Sequence, residues 1–333
     1  MIGLRKEKAA KLSHAMSDAR HTYLRARVAS VKRAALAVRT FELVALEGDS
    51  LPPFSPGAHI TILLPGGLRR QYSLAGDIRD TSRYLIAVLR QGDGSQHMHD
   101  RVTVGSVLDI ARPQNHFPLV EDAGPFVLVA GGIGITPIVS MAQALAHRGA
   151  EFTLHYCARS RDQAAFVESL STICSKSQLR LYFDGGDPTM GLQVDRLIGS
   201  CVRGTHVYCC GPGNLMKAVR DATASWPPDT VHFEYFAPSS PMRPADGAGF
   251  EVTLRRRGMR LTIPAGRSIV EVLRAHGIDV ETSCEAGTCG TCRTRYFSGE
   301  PIHNDFVLTD AEKAQYVMIC CAQSRGAPLE LDL

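Results

Sequence analysis

The sequence has no apolar run long enough to cross a bilayer. Its longest candidate, from Pro125 to Met141, is broken by glycines, Thr136 and Pro137, short of the roughly 18 consecutive apolar residues a span needs. The opening stretch MIGLRKEKAAKLSHAMSDAR lacks the apolar core of a secretory signal, so nothing points to an oxidising compartment and a cytoplasmic location is expected. Net charge is also scarce: 37 Lys+Arg against 33 Asp+Glu leaves +4. That excess sits in an N-terminal arm, while the rest of the chain is close to neutral, without the broad positive footprint of a nucleic-acid binder. There is no internal repeat and, outside residues 237–249, no low-complexity tract. With 44% hydrophobic and 21% charged residues over 333 positions, the chain is globular and long enough for two or three domains.

The texture changes twice along the chain. After a basic arm, residues 1–22, expected to be disordered, short β-type runs follow: LRARVASV, AVRTFELVAL, AHITILL, RRQYSLAG and RYLIAVLR, separated by PPFSPG, PGG and QGDG. This predicts an antiparallel barrel over residues 23–120. Residues 121–236 alternate buried strands with helices, beginning with PFVLVA, GGIGIT and PIVSMAQALAHRG, which predicts an α/β domain on a parallel sheet. The Pro-, Ser- and Gly-rich stretch 237–249 reads as a linker. Residues 250–333 form a third, small α+β domain with strands FEVTLRR, MRLTIPA and PLELDL, helix SIVEVLRAHG and a cysteine loop.

That loop carries the strongest chemical signal. Cys284, Cys289 and Cys292, in SCEAGTCGTC, with a cysteine downstream, have the C-x4-C-x2-C…C spacing of plant-type [2Fe-2S] ferredoxins. Four thiolates are needed to hold two irons, and Gly287 and Gly290 allow the loop to curl so that backbone N–H groups reach the sulfurs. A zinc site is the alternative, but zinc sites usually pair C-x2-C knuckles. Both Cys320 and Cys321 compete for the fourth position; the ferredoxin resemblance, with a small residue two places after the ligand, here Ala322, implies Cys320. Cys157, Cys174, Cys201 and Cys209 lie in strand or helix runs and read as small buried hydrophobes.

VAGGIGITP, containing Gly131, Gly132, Gly134, Thr136 and Pro137, passes from a strand into a helix, where backbone donors can hold a pyrophosphate. It is not the usual G-x-G-x-x-G, and a structural turn is its plainer reading. A second turn, Cys210, Gly211 and Pro212 in CCGP, follows another strand of the same domain, and together they point to a dinucleotide site at the sheet edge. Asp184, after LRLYFD, suits the ribose hydroxyls and would repel a 2′-phosphate, favouring NADH; an ordinary turn aspartate is the alternative.

In RRQYSL, Arg70, Tyr72 and Leu74 fall on one face of a strand. Together with GGIGITP, CCGP and the C-terminal cysteine loop, this R-x-Y-S motif resembles the ferredoxin-NAD(P)+ reductase superfamily. The chain beyond the arm is similar throughout to the phthalate dioxygenase reductase family, the FMN reductase components of Rieske-type aromatic ring oxygenases. The resemblance implies a flavin β-barrel, a nicotinamide α/β domain and a β-grasp ferredoxin domain in that order, with FMN, NADH and a [2Fe-2S] cluster. It implies that Arg70 and the Gly94-Ser95 turn, with Gln96 beside it, hold the FMN phosphate, and that Gln71, Tyr72 and Ser73 line the isoalloxazine with Val88, Leu89 and Arg90 along its other edge. Thr136 and Phe236 would reach the flavin, and Cys210 would shape the nicotinamide contact opposite Ser73. Tyr72 and Phe236 could equally be core aromatics and Arg90 a solvated charge.

The sequence departs from the family pattern at Asp93, an anion beside the phosphate turn, and at Ala322-Gln323, where Ser-Arg is expected after the last cluster ligand. His97 and His99 form an H-x-H pair without further ligands and read as solvated. Passing one electron from a plant-type cluster near −400 mV to a Rieske centre near −150 mV or above would release about 6 kcal/mol, so export to a Rieske-type oxygenase is the expected role, with Arg293 and Arg295 meeting an acidic partner surface. A cytochrome P450 or separate ferredoxin as acceptor, or a redox sensor without turnover, are the competing readings.

Overall fold

The computed structural model describes residues 23–48, 50–121, 124–236, 249–282, 287, 290–305 and 307–333. The expected arm 1–22, nearly all of the linker, and the ligand candidates Cys284 and Cys289 lie outside these residues. Two compact units are present, divided at Phe233 and Glu234.

Alternating apolar residues build the first layer. β1 (Tyr23–Ala35), β2 (Val38–Ala45), β3 (His59–Leu64), β4 (Leu68–Ser73), β5 (Arg83–Leu89) and β6 (Val107–Ala111) form an antiparallel sheet in the order β4-β3-β6-β1-β2-β5. A bridge between Leu74 and Ile86 joins the two edges and closes it into the expected barrel. Phe41, Leu43, Ile60, Ile62, Leu64, Ile86 and Ile110 fill the interior. The QGDGSQ stretch is a helix start instead of a turn: Gly92 is extended and α1 (Asp93–Arg101) follows it, with Met98 and His99 buried. His99 is therefore not solvated. Its Nε2 lies 2.8 Å from the Val88 carbonyl oxygen, and Arg39 Nη1 donates to the His99 carbonyl at 2.7 Å. The imidazole pins α1 to β5, a role that sequence pattern does not reveal.

The second layer is a sheet in the order β11-β10-β7-β8-β9, from β7 (Phe126–Gly131), β8 (Phe152–Ala158), β9 (Leu179–Phe183), β10 (His206–Cys210) and β11 (Val231–Glu234). The pairings β10–β7, β7–β8 and β8–β9 are parallel. Helices α2 (Ile135–Arg148), α3 (Val167–Ile173), α4 (Val194–Gly199) and α5 (Gly213–Ala222) connect them. The chain runs from β7 outward to β9, then returns to place β10 on the other side of β7, so the strand order reverses between β7 and β10, the position where open α/β sheets bind ligands. Helix α3 begins later than DQAAFVESL predicts: Phe166 adopts φ 65° and, half-buried, packs with Leu89 and Ile133 around the small cluster of Ala35, Val38, Ala87 and Ala165.

Barrel and parallel sheet share a core in which Ala75 and Phe117 pack with Leu128, Ile138, Met141 and Tyr208. Gly57 makes the closest approach: its N–H donates to Ser140 Oγ at 3.2 Å, and a Cβ there would lie 2.0 Å from the Phe117 carbonyl oxygen. The Tyr208 hydroxyl receives the Val120 N–H at 2.9 Å and donates to the Pro118 carbonyl at 3.2 Å, fixing the connecting segment.

In the second unit, β12 (Phe250–Leu254), β13 (Met259–Ile263), β14 (Arg293–Ser298), β16 (Tyr316–Met318) and β18 (Leu329–Leu331) form a mixed sheet, β13-β12-β18-β14-β16, with β15 (Pro301–Ile302) and β17 (Gln323–Ser324) as a small pair. Helix α6 (Ile269–Ala275) starts with reciprocal bonds, Glu271 N–H to Ser268 Oγ at 3.1 Å and Ser268 N–H to Glu271 Oε2 at 2.8 Å, a capping box. Its Ile269, Val270, Val272 and Leu273 bury against Val252, Leu254, Leu329 and Leu331, each contributing about 2 kcal/mol. One helix laid on such a mixed sheet is the β-grasp arrangement expected; a short helix, α7 (Asp310–Lys313), precedes β16.

Gly57→Ala tests the junction. Gly66 has a similar φ, +76° against +89°, but open space around it, so Gly66→Ala measures backbone strain alone. Gly57→Ala is expected to cost at least about 2 kcal/mol more than Gly66→Ala, read by denaturant unfolding with the fluorescence of the single tryptophan, Trp226.

Candidate functional site

The two glycine turns meet where the strand order reverses. β7 ends at Gly131 and passes through a 3₁₀ turn, Gly132–Gly134, into α2; β10 ends at Cys210, and Gly211 and Pro212 lead into α5. A Cβ on Gly211 would lie 3.0 Å from Gly131 Cα, one on Gly131 would lie 2.5 Å from Pro212 Cδ, and one on Gly134 would lie 2.3 Å from the Cys210 carbonyl oxygen. Three glycines are thus needed for the turns to touch, which opens backbone at the mouth of the crevice to a ligand. The Tyr156 hydroxyl donates to the Gly132 carbonyl at 3.3 Å and holds that turn from beneath. Thr136 is buried and its hydroxyl donates to the Ile133 carbonyl at 3.0 Å; Pro137 is buried beside it. Cys210 is fully buried at the strand end.

Asp184 follows β9 directly. Its Oδ1 accepts the Gly186 N–H at 2.8 Å, the plain turn role, and the residue stays half-exposed, which leaves Oδ2 available at the rim. Cys157, at the end of β8, has its thiol pushed up to about 12 by burial and then by the Asp184 carboxylate. Burial likewise pushes the Cys174 thiol up to about 11 and raises Cys201 and Cys209. All four are held as neutral thiols, although Cys157 and Cys201 are only partly buried.

On the barrel, Arg70 and Gly94 come together. The arginine side chain crosses the helix start so closely that a Cβ on Gly94 would lie 2.7 Å from Arg70 Cγ and 2.8 Å from Nε. The N-terminal N–H groups of a helix lack intrahelical partners, and Gly92 supplies no side-chain cap. Ser95 Oγ turns back to accept the N–H groups of Gln91 at 2.8 Å and Gly92 at 2.9 Å, which fixes the turn. Gln96 and Asp93 are exposed. This is a cradle for a phosphate: a guanidinium and oriented backbone donors.

Tyr72 and Ser73 follow on the same strand, opposite Ile60 and His59. Ser73 is 4% exposed. The Tyr72 hydroxyl is buried with no hydrogen-bond partner among the described residues, and burial pushes it up to about 12. A buried orphaned donor beside a phosphate cradle fits a polar heterocycle placed against it. Gln71 is half-buried, Val88 is buried and Leu89 partly so. Arg90, after β5, donates from Nη1 and Nη2 to Asp100 at 2.6 and 2.9 Å, tying the end of β5 to α1. Phe236 follows β11 in the second unit and is 38% exposed.

In that second unit Cys292 and Cys320 are 4% and 3% exposed. The Gly287 N–H donates to Cys320 Sγ at 3.1 Å, the kind of contact that stabilises a thiolate ligand. Gly287 and Gly290 have φ of +71° and +80°, as a tightly curled loop requires, and a Cβ on Gly287 would lie 2.6 Å from Cys321 Sγ. Cys321 instead directs its sulfur toward the Met318 carbonyl, at 3.6 Å. These contacts favour Cys320 as the fourth ligand, and the residues present fit an iron–sulfur group.

Comparison with known proteins agrees with both halves. Residues 128–221 match the oxidoreductase NAD-binding domain and residues 252–325 the 2Fe-2S iron-sulfur cluster binding domain. The chain is 42% identical to phthalate dioxygenase reductase of Burkholderia cepacia over 93% of its own length and 98% of that protein's. The chain belongs to the phthalate dioxygenase reductase family. Other matches to the family and its neighbours are a vanillate O-demethylase oxidoreductase of Pseudomonas, 44% identical over 92% of this chain and 98% of the relative, and the solved phthalate dioxygenase reductase, with TM-score 0.77 over 93% and 98% of the two chains. An intact type IV self-sufficient cytochrome P450 monooxygenase aligns at 36% identity and TM-score 0.72 over 93% of this chain, which spans 41% of that protein.

Family members therefore carry the FMN, NADH and [2Fe-2S] set, and this chain has matching residues for each. Gly134→Ala checks the crevice: its backbone conformation suits alanine, so the variant should fold, yet a methyl group against the Cys210 carbonyl displaces the turns. The KM for NADH should rise about tenfold or more, measured with an artificial acceptor.

Proposed function

We propose that this protein is the NADH-dependent reductase component of an oxygenase system and that its acceptor is a Rieske-type oxygenase. The observation that carries the reading is the Arg70–Gly94 contact: a phosphate cradle on the barrel, in the same compact unit as the switch-point glycines of the dinucleotide crevice.

The bound groups supply the chemistry, in which a nicotinamide hydride is taken up by flavin and its two electrons leave singly through an iron–sulfur cluster. Per NADH, two acceptors gain one electron each, with release of NAD+ and one proton. The protein's share is placement. Arg70, with the N–H groups of Gly94 and Ser95, would anchor the FMN phosphate. Gln71, Tyr72 and Ser73 would border the ring, Tyr72 offering its unpartnered hydroxyl, while Val88 and Leu89 give an apolar edge. Gly131, Gly132, Gly134, Gly211 and Pro212 would let the nucleotide lie against backbone, and Cys210 and Ser73 would set the nicotinamide face. Arg90 would act through its grip on Asp100 by holding α1 and its cradle in place. Cys284, Cys289, Cys292 and Cys320 would hold the cluster.

Likeness to the P450 monooxygenase structure supports a second reading in which a haem protein is the acceptor. Coupled turnover separates the two: product formation with a purified Rieske oxygenase and none with a P450 supports the first, and the reverse overturns it. Superimposed flavin and iron–sulfur absorption, with FMN released on denaturation, tests the cofactor set.

Two substitutions test the placements. Arg70→Ala should weaken FMN binding by about tenfold to a hundredfold, the loss of a charge-assisted contact, measured by flavin fluorescence on titration of the apoprotein. Asp184→Ala should raise KM for NADH and lower that for NADPH, narrowing the preference about tenfold or more; an unchanged ratio of kcat/KM values would show that Asp184 is a turn residue only.

A further inference from the structure

The second unit has a sheet face that its own core does not use. Val252, Leu254, Leu261, Ile263, Leu329 and Leu331 point to α6, so alternation along the strands sends Arg255, Arg260, Arg293, Arg295, Phe297 and Asp332 to the other side. The pairing register shows which end of the sheet they occupy. Arg293 lies opposite Met318, Leu254 lies opposite Leu331, and the Asp332 N–H donates to the Arg295 carbonyl. The β12–β13 turn, Arg255–Gly258, therefore sits at the same end as the start of β14 and the end of β16. Those strand ends adjoin Cys292 and Cys320, so the arginine-rich edge and the electron exit share one end of the sheet.

The cations there are not all used up internally. Arg293 is bound to Glu312 at 2.9 Å and lies 4.9 Å over Tyr316, so part of its charge is offset within this unit. Arg256 grips Asp332 through Nε and Nη2, each at 2.7 Å. Arg255 has a loose contact with Glu330, at 3.8 Å, and both it and Arg295 act at longer range on the Asp332 carboxylate that Arg256 already holds. Neither Arg257 nor Arg295 has an ion pair within 4.0 Å among the described residues. Arg255 and Arg295 both lie over the Phe297 ring, at 4.3 and 5.3 Å, and Phe297 is itself 38% exposed. Guanidinium groups stacked on an exposed aromatic are held ready in place, which lowers the ordering cost of binding a carboxylate, and arginine with aromatic residues is the usual make-up of a binding hot spot.

We propose that this face, centred on Arg255, Arg257, Arg295 and Phe297, is the docking surface for the electron acceptor, and that the acceptor meets it with a carboxylate-rich patch. The inference rests on the reductase reading and specifies the partner's surface chemistry.

The test reverses the charge in the full-length holoprotein, R255E/R257E/R295E, and uses the basic haem protein cytochrome c as acceptor. At an ionic strength of about 10 mM, where charges act over about 30 Å, the variant should reduce cytochrome c about fivefold faster than the unaltered protein, and the gain should disappear at high salt. The salt dependence separates charge steering from a loosened fold, whose faster rate would persist at high salt. In a second readout, a fluorescein-labelled oligoglutamate peptide should bind the unaltered protein, by fluorescence anisotropy, and bind the variant at least tenfold more weakly. Equal cytochrome c rates at low salt, with the reduced cluster's paramagnetic signal intact in both proteins, would overturn the proposal. Absence of that signal from the unaltered protein would instead overturn the functional reading beneath it.

Discussion

Almost no room exists between the end of β7 and the end of β10. A methyl group on Gly131, Gly134 or Gly211 would meet the opposing turn at 3.0 Å or less, and that closeness shapes the rest of the first unit. Parallel strands that reverse order leave a crevice at their carboxyl ends, but its floor is narrow only if both turns lack side chains. The Tyr156 hydroxyl beneath Gly132 and the Thr136 hydroxyl on Ile133 stiffen one wall. Phe166, held at positive φ, joins Ile133 of that wall and Leu89 of the barrel around one small hydrophobic cluster. Ile133 of the crevice wall and Leu89 of the barrel thus border one packed cluster, the fixed placement that hydride transfer between two bound rings would need.

The features most legible in the sequence were those fixed by covalent or backbone necessity. Cysteine spacing, glycine turns and the change from period-two runs to strand–helix alternation each reflect a local constraint, and the barrel, the parallel sheet and the mixed sheet follow them. The reading of QGDGSQ as a turn went astray because a contact between the residues flanking it decides its conformation. QGDGSQ has turn-forming residues, yet it starts a helix because His99, seven residues beyond Gly92, can reach the Val88 carbonyl and bury. The sequence likewise gives no sign that Asp100 will accept from both Nη1 and Nη2 of Arg90, and β6 is too short and too interrupted by Asp109 to register as a strand.

Histidines illustrate the same limit. His59 and His116 stack with ring centres 5.4 Å apart, and burial together with the neighbouring ring pulls His59 down to about 4. It is therefore neutral through the physiological range, and being buried neutral it opposes folding only below about pH 6, where the unfolded chain takes up a proton that the folded one refuses. Since His59 faces Ser73 across the strand pair, an uncharged ring there keeps a positive charge away from the residue expected to border the flavin. Nothing in the spacing of PGAHI foretells this, because the depressed affinity for protons depends on the 112–118 segment folding back.

At Asp93 two electrostatic effects meet. A carboxylate at the first position of a helix stabilises it through the dipole, yet the same dipole is what a phosphate would use, so the two compete for one field. The competition is resolved by exposure. Asp93 is in solvent, where its charge is screened, whereas Gly94 is buried beneath Arg70. Any side chain at position 94 would separate the guanidinium from the helix end, so the glycine, more than the arginine, determines whether the cation and the backbone donors can act on the same anion.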